Sequence, residues 1–425
     1  MANKYFKQKN GILLAGNVNV LTLVKEYGTP LYVYDLEIIR QQYETLKRSI
    51  PSNVKIFYAI KANPNLSVCS FLCSLGAKAE VASAGELYIA LKAGFKGKDI
   101  VYNGPGKTDE DIQYAIQSSI HTINVESMDE LYRLDAIAKN EHRPVRVCIR
   151  VNPIHTVTKV KMQTGGGSQK FGIDEEKIET IIKTALSLDW IELLGIHVYV
   201  GSQILDHGVL LENIENTLKI AVRAAKQFGL PIRCLNFGGG LGVPYNETEP
   251  ELNVEHFGNG LTALINKMSQ EYGLSETRFV LEPGRFIVSD AGIFLTKVIS
   301  VKESRGKKYA IVDGGINHAF LPIRMNKKYP TAIANKMNQP NEGSVVIGGP
   351  LCTSMDVFTN EVELPHVEIN DIISIFNSGA YGFSASLLYF LSAPMPAEVI
   401  VQNGKHFVAR RRGRKEDLLL NCDVE

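Results

Sequence analysis

Between Phe57 and Glu282 the chain alternates strand and helix signals eight times, and no other feature constrains its fold as much. Runs rich in apolar and β-branched residues end at Lys61, Ser83, Gly104, Glu126, Asn152, Gly201, Gly238 and Glu282. Helical periodicity fills most of the intervals, over 84–94, 108–117, 127–140, 174–188, 208–228 and 254–272, with Ser127 and Glu130 spaced as a capping pair. Eight β/α units over roughly 230 residues predict a (β/α)8 barrel, whose usual length is about 250 residues. A doubly wound sheet is the competing arrangement, but eight regular units favour closure.

After Ala291 the texture changes. Short alternating segments at 294–301, 308–312, 344–348 and 371–376 are separated by Gly, Pro and Asn turns, which predicts an all-β region. The expected fold class is α/β: a (β/α)8 TIM-like barrel plus an all-β C-terminal domain. Residues 31–290 are expected to form the barrel and 291–425 the β domain. Residues 1–30 hold two short apolar runs and are expected to join the β domain, because strands that precede a barrel need another sheet to pair with. Asp35 is placed to cap the polar helix after Leu31-Tyr32-Val33-Tyr34.

Composition excludes several kinds of function. Over 425 residues, 45% hydrophobic and 21% charged are the proportions of an ordinary soluble globular protein. A net charge of +1 argues against nucleic acid or an anionic membrane as the main partner. The basic cluster Arg410-Arg411-Arg412, with Arg414 and Lys415, reads as a solvated end. No run reaches the roughly 18–20 apolar residues of a membrane span, and Met1 to Lys7 lack the apolar core of a signal peptide. Six cysteines are scattered without zinc or disulfide spacing, so no metal site is expected and the setting is reducing and cytoplasmic. Cys69 and Cys73, four apart on a predicted helix, read as small buried hydrophobes.

A barrel carries its active site at the C-terminal ends of its strands, so the residues there define the chemistry. Lys61 closes the first run, Val54-Lys55-Ile56-Phe57-Tyr58-Ala59-Ile60. Burial lowers a lysine's pKa and makes its amine a nucleophile able to form a Schiff base, unless the chain simply snorkels to solvent. Glu80 and Ser83 close the second run. The sixth holds His197 and Tyr199, two apart and so on one face, then Gly201-Ser202-Gln203. The seventh ends in Gly238-Gly239-Gly240, where bare backbone amides can approach an anion and cradle a phosphate. The eighth ends in Glu282-Pro283-Gly284-Arg285, a carboxylate and a guanidinium three apart at a rigid turn. Each feature alone also fits a structural role. An amine, a phosphate cradle, a ring to stack and a facing carboxylate together suit pyridoxal phosphate. Lys61 would carry the cofactor, and a glutamate at the pyridine nitrogen would keep it protonated and the ring an electron sink.

Ordered motifs run nearly end to end: Tyr58-Ala59-Ile60-Lys61-Ala62-Asn63, Glu80-Val81-Ala82-Ser83-Ala84-Gly85-Glu86-Leu87, Lys170-Phe171-Gly172-Ile173, Gly201-Ser202-Gln203, Gly238-Gly239-Gly240, Glu282-Pro283-Gly284-Arg285, Asp313-Gly314-Gly315, Gly349-Pro350-Leu351-Cys352 and Gly379-Ala380-Tyr381-Gly382. With them the chain resembles the alanine-racemase-like (fold type III) pyridoxal phosphate enzymes, in the branch of diaminopimelate and eukaryotic-type ornithine decarboxylases. The resemblance implies that Lys61 is the Schiff-base lysine and that Ser202, Gly240, Arg285 and Tyr381 contact the phosphate, with Gly239 and Gly284 in the same motifs. It places Glu282 at the pyridine nitrogen and Glu80 near the reactive face. Cys352 matches the thiol that protonates the α-carbon from the partner subunit, which implies a head-to-tail homodimer with shared active sites. The residues alone also allow Cys352 to be a small core side chain, although the flanking Gly348-Gly349-Pro350 loop favours a placed thiol.

Three departures from the family pattern bear on the substrate. A histidine usually stands just before the Gly-Ser pair; here Tyr199 stands two positions after His197, and either ring could stack on the cofactor. Diaminopimelate decarboxylases follow the thiol with a glutamate that reads the substrate's far amino group, and here the residue is Thr353. Their Arg-Pro-x-Leu-Tyr segment is replaced by Ile316-Asn317-His318-Ala319-Phe320-Leu321-Pro322-Ile323-Arg324. Arg324, Thr353 and Tyr381 are therefore the expected substrate contacts. These changes resemble a side branch that decarboxylates carrier-linked glutamate in antibiotic assembly or siderophore intermediates.

The expected activity is that of a pyridoxal-phosphate-dependent amino-acid α-decarboxylase, a carboxy-lyase. Its substrate would be specialised, derivatised or presented on a carrier protein, in secondary-metabolite or siderophore biosynthesis. The alternatives are meso-diaminopimelate decarboxylation in lysine biosynthesis and amino-acid racemisation on the same fold. A racemase tends to avoid a strongly protonated pyridine, so Glu282 opposite the ring argues for decarboxylation. A non-catalytic cofactor carrier is a single barrel and leaves Cys352 and Tyr381 unexplained. A phosphate-sugar barrel enzyme without the cofactor leaves Lys61 unexplained. The loop Lys159–Lys170, centred on Thr164-Gly165-Gly166-Gly167-Ser168, is expected to be mobile near the site mouth.

Overall fold

Eight short apolar strands pair in parallel and close on themselves, as runs buried on both faces must. In the computed structural model, which describes residues 3–155, 162–163, 165–324 and 329–423, they are β1 (Val54–Ala59), β2 (Lys78–Val81), β3 (Ile100–Tyr102), β4 (Thr122–Val125), β5 (Val145–Asn152), β6 (Ile191–His197), β7 (Cys234–Asn236) and β8 (Arg278–Leu281). Each pairs with its neighbours in chain order. β8 returns to β1 with Phe279, Val280 and Leu281 opposite Val54, Lys55 and Ile56. Phe57, Val101, Cys148, Leu194, Cys234 and Val280 form a buried core cluster. Contact with Cys234, together with burial, pushes the Cys148 thiol well up, so it behaves as an inert hydrophobe. This unit comprises Tyr43–Val243 and Glu251–Phe286.

The outer helices begin at side chains that satisfy their free N–H groups. Ser83 accepts from Glu86 N–H at 3.2 Å, Thr108 and Asp111 form a reciprocal capping box, and Ser127 accepts from Glu130 N–H at 3.1 Å. Glu130 does not return the bond. Its carboxylate takes the Lys107 ammonium at 2.6 Å and the Glu126 N–H at 2.9 Å instead. The sixth strand ends at His197 rather than Gly201, because Gly201–Ser202 pairs antiparallel with Met162–Gln163.

The second unit comprises Met1–Gln42, Pro244–Pro250 and Ile287–Glu425. Its main sheet runs in the order Val357–Leu364, Gly343–Gly348, Lys307–Val312, Gly292–Ser304, Leu31–Asp35, Ala397–Gln402, Lys405–Arg410. Leu31–Asp35, expected to open the barrel, lies in this sheet, antiparallel to Gly292–Ser304 and parallel to Ala397–Gln402. All five of its residues are buried, and an apolar run of that length carries no information about which sheet will pair with it. Residues 8–19 form a three-stranded sheet of their own, tied to the rest of the unit by Leu13 N–H to the Ala334 carbonyl at 2.8 Å. Asp35 caps the helix Leu36–Ser49 by accepting the Glu37 N–H at 2.9 Å.

The basic cluster is not a merely solvated end. Arg410 pairs with buried Glu398, Arg411 with Asp417 at 2.7 Å, and Arg412 donates to the Pro30 carbonyl at 2.7 Å. Cys69 is buried in the helix Leu66–Ser74, whereas Cys73 is half-buried. Among the described residues no helix is long and apolar enough to cross a membrane, and no cluster of His, Cys, Asp or Glu could hold a metal ion.

Candidate active site

Every barrel strand delivers a polar residue at its C-terminal end: Lys61, Glu80, Asn103, Glu126, Asn152, His197, Asn236 and Glu282 in turn. All but Lys61 are buried, so the groups must largely satisfy one another, and all but His197 find hydrogen-bond partners among the described residues.

They do so through a chain of contacts that begins at the amine. Lys61 lies in the single turn Ile60–Ala62 after β1, and its Nζ donates to both oxygens of Glu80 at 2.8 Å. Asn103 Nδ2 lies 2.8 Å from Glu80 Oε1 and 3.1 and 3.0 Å from the two oxygens of Glu282. Asn236 Nδ2 donates to Glu282 Oε1 at 2.7 Å. His197 Nε2 stands 3.6 Å from Glu282 Oε2, beyond hydrogen-bond reach, and neither ring nitrogen has a hydrogen-bond partner among the described residues. Burial alone would raise the pKa of Glu282. The neighbouring His197, the Lys61 charge and the Asn236 donor outweigh it and hold the carboxyl down to about 2. Glu86, beyond Glu80, goes the other way: burial and the Glu80 charge push it up to about 7.

Beside this network runs a stretch of bare backbone. A Cβ on Gly239 would lie 2.3 Å from the Glu282 carbonyl oxygen, and one on Gly240 2.8 Å from the Gly201 carbonyl. Gly238 has φ +64°, and a Cβ there would lie 2.8 Å from the Tyr199 ring. Tyr199 is half-buried, whereas His197 is 1% exposed, so the two rings expected as alternatives occupy different surroundings. Ser202 sits in the short strand pair with Met162, and Arg285 is buried just after the glutamate loop. A Cβ on Gly284 would lie 2.8 Å from the Ala62 Cβ, so that loop packs on the turn carrying Lys61.

The glycine-rich loop is pinned from below. Asn152 accepts the Gly166 N–H at 2.6 Å and donates to the Gly167 carbonyl at 2.8 Å. Glu126 takes the Gly104 and Gly172 N–H groups at 2.9 and 3.1 Å and Arg150 at 2.8 Å. Residues 159–161 and Thr164 of that loop lie outside the described residues.

Cys352, Thr353 and Tyr381 belong to the second unit. Cys352 is exposed in the loop between Gly343–Gly348 and Val357–Leu364. Buried Asp356 holds that loop by accepting the Leu351 N–H at 2.7 Å and the Ile316 N–H at 2.8 Å. Tyr381 takes φ +54°, a left-handed conformation that non-glycine residues adopt at a cost. Arg324 ends the short helix Leu321–Arg324, and its side chain lies outside the described residues.

The barrel residues fit pyridoxal phosphate. A lysine with a partly exposed side chain, a glycine turn too tight for any Cβ, a ring against that turn and a buried ionised glutamate are suited to the group's aldehyde, phosphate, π-face and pyridine nitrogen. Asn103, Asn124, Glu126, Arg150 and Asn152 were not expected as site residues. A signal existed, since each is a polar residue at or near the end of an otherwise apolar strand.

Residues 36–289 match the family described as pyridoxal-dependent decarboxylase, pyridoxal binding domain. The chain is 38% identical over 425 residues to the diaminopimelate decarboxylase of Methanothermobacter thermautotrophicus, covering 97% of this chain and 96% of that protein. It is 32% identical over 407 residues to the L-glutamyl-[BtrI acyl-carrier protein] decarboxylase of Niallia circulans, covering 94% and 95%. The solved structure of diaminopimelate decarboxylase from Methanocaldococcus jannaschii with L-lysine superposes with a TM-score of 0.93 at 31% identity, over 100% of this chain and 98% of that one. With the barrel inside the family match and relatives of this similarity spanning nearly the whole chain, the protein belongs to the fold type III pyridoxal-dependent decarboxylases.

Proposed function

We propose that this pyridoxal-phosphate-dependent carboxy-lyase removes the α-carboxylate from a derivatised or carrier-linked amino acid rather than from free meso-diaminopimelate. The observation that carries this reading is Thr353, directly after Cys352, where diaminopimelate decarboxylases have a glutamate. A neutral hydroxyl gives a distal ammonium no counter-charge, and a hydrogen bond to a charged group is worth about 1.5–3 kcal/mol, roughly 10–100-fold in affinity. The relative from Niallia circulans that acts on L-glutamyl-carrier protein supports the same reading. The 38% identity to a diaminopimelate decarboxylase favours the second reading, lysine-forming decarboxylation of meso-diaminopimelate.

In this mechanism Lys61 supplies the amine that anchors the cofactor's aldehyde. Backbone amides of Gly239 and Gly240, with Ser202, Arg285 and Tyr381, would hold its phosphate, while the Gly238 N–H is taken by Asn236 Oδ1 at 2.9 Å and fixes the turn. Tyr199, against Gly238, is the stacking ring, and His197, buried beside Glu282, supports that carboxylate. Bound pyridoxal phosphate supplies the electron sink for the pair left behind when carbon dioxide departs. Glu282, held ionised by its donors, retains the proton on the ring nitrogen. Cys352 returns a proton to the substrate's α-carbon, in a head-to-tail homodimer in which one subunit's thiol serves the other's barrel. Thr353, Arg324 and Tyr381 meet the rest of the substrate.

The test is carbon dioxide release by the purified, cofactor-loaded enzyme from meso-diaminopimelate and from an L-glutamyl acyl-carrier thioester. Release from the thioester with little from the free diamino acid supports the proposal. Brisk lysine formation overturns it in favour of the second reading.

A further inference from the structure

Glu80 is fully buried and Glu282 is 6% exposed, and one neutral side chain, Asn103, touches both. Its Nδ2 reaches Glu80 Oε1 at 2.8 Å and both oxygens of Glu282 at 3.1 and 3.0 Å. Ionised carboxylates only accept, so the amide must turn its NH2 group toward them. The opposite end agrees, because Asn124 Nδ2 donates to Asn103 Oδ1. Asn103 is itself 6% exposed, which leaves solvent little room to take over its bonds. The other charged or titratable groups around the pair are Lys61 on Glu80, Glu86 beyond it, and His197 and Cys148 near Glu282. Lys61 meets Glu80 through both oxygens, so its charge is felt at Glu80 directly and at Glu282 across the amide.

We propose that Asn103 is a positioning residue whose amide clamps Glu80 and Glu282 together and favours the ionised form of Glu282, so that the carboxylate at the lysine and the carboxylate at the cofactor ring act as one unit. The proposal rests on the reading of Glu282 as the ring-facing carboxylate. Physically, each N–H bond to a carboxylate stabilises its charged form, and in a buried site no water replaces a lost donor. A purely structural Asn103 would affect stability when replaced but would leave the titration of Glu282 in place.

The test uses the apo-protein as wild type, Asn103→Leu, Asn103→Ala and Glu282→Gln. Acid titration is followed by the infrared band of protonated carboxyl groups, with the signal lost in Glu282→Gln marking that residue. Pyridoxal phosphate is then titrated into each protein and its affinity measured. In Asn103→Leu the Glu282 signal should appear about one pH unit higher than in wild type, a tenfold change in proton affinity, and the cofactor should bind about tenfold more weakly. Asn103→Ala should behave alike and decides the matter if the leucine variant does not fold. An unmoved carboxyl signal with unchanged cofactor affinity overturns the clamp. If Glu282→Gln binds the cofactor as wild type does, with the same visible spectrum, the ring-facing reading fails, and the infrared shift alone then judges the clamp.

Discussion

Lys61 Nζ lies 2.8 Å from both carboxylate oxygens of Glu80, so the amine of the site is held by a counter-charge that solvent does not reach. The lysine side chain itself stays 38% exposed while that of Glu80 is 0% exposed. A lysine side chain that is partly exposed while its amine is held by a buried carboxylate is oriented without being fully enclosed.

Lys61→Ala should abolish the visible absorbance of covalently anchored cofactor. Glu80→Gln keeps the shape but halves the acceptors, and should weaken activity by roughly tenfold, as loss of a charge-assisted hydrogen bond of about 1.5 kcal/mol would. Spectra before and after borohydride, with turnover on whichever of the two candidate substrates releases carbon dioxide, check both. An unchanged cofactor band in Lys61→Ala would count against the lysine.

Gly239→Ala should disable the cradle. The added Cβ would stand 2.3 Å from the Glu282 carbonyl oxygen, which is backbone and cannot swing aside. Overpacking of this kind costs about 1–3 kcal/mol, and here the strain falls on the loop that carries Glu282. Thermal unfolding and pyridoxal phosphate titration should both worsen. Normal cofactor affinity in a folded variant would mean that the glycines do not hold the phosphate.

Glu86 offers a pH signature. Its carboxyl is raised from the ordinary 4.5 to about 7, chiefly by burial and then by Glu80. The folded state therefore holds a proton that the unfolded chain releases between those values. Stability that is complete below about pH 4.5 is lost as pH rises through 7. Glu86→Gln cannot ionise, and its amide oxygen can still accept the Ala82 N–H. Denaturant titrations should match wild type at pH 4 and show the variant more stable at pH 8 by roughly 1–2 kcal/mol, allowing for partial solvent screening. An equal difference at both pH values would refute the linkage.

The thiol loop depends on Asp356. One carboxylate oxygen takes the Leu351 N–H and the other the Ile316 N–H, so Asp356→Asn must turn an amide donor toward one of them. The cost should be about 1–3 kcal/mol, with faster alkylation of Cys352 in a Cys422→Ser background as the loop loosens. Cys352→Ala should leave that loop folded and carbon dioxide loss intact, yet misdirect protonation of the α-carbon. Wild-type product partitioning in Cys352→Ala would remove the thiol from the mechanism.

The barrel was legible because its signals are local. Alternating apolar runs, capping residues such as Ser83, Thr108 and Ser127, and turn glycines act within a few residues, and the helices begin where those caps stand. Lys61, Glu80, the three glycines and Glu282 were readable for the same reason, since each closes a strand. Leu31–Asp35 was assigned to the wrong sheet because all five residues are buried and nothing local distinguishes one pair of neighbours from another. The choice between His197 and Tyr199 stayed open for a similar reason. Residues two apart on one strand would share a face, but the strand ends at His197 and Tyr199 lies beyond it, so one packs beside Glu282 and the other against Gly238.

Fold class, and the placement of Lys61, the three glycines and Glu282 at the ends of barrel strands, thus follow from residue order alone, because chain chemistry over short spans dictates strand, turn and cap. Which polar ends meet is a matter of closure. Asn103 reaches Glu80 across 23 residues and Glu282 across 179, and the second contact exists because β8 returns to lie beside β1 and completes the ring. A local period specifies which face a side chain takes; a closed barrel decides what stands opposite it.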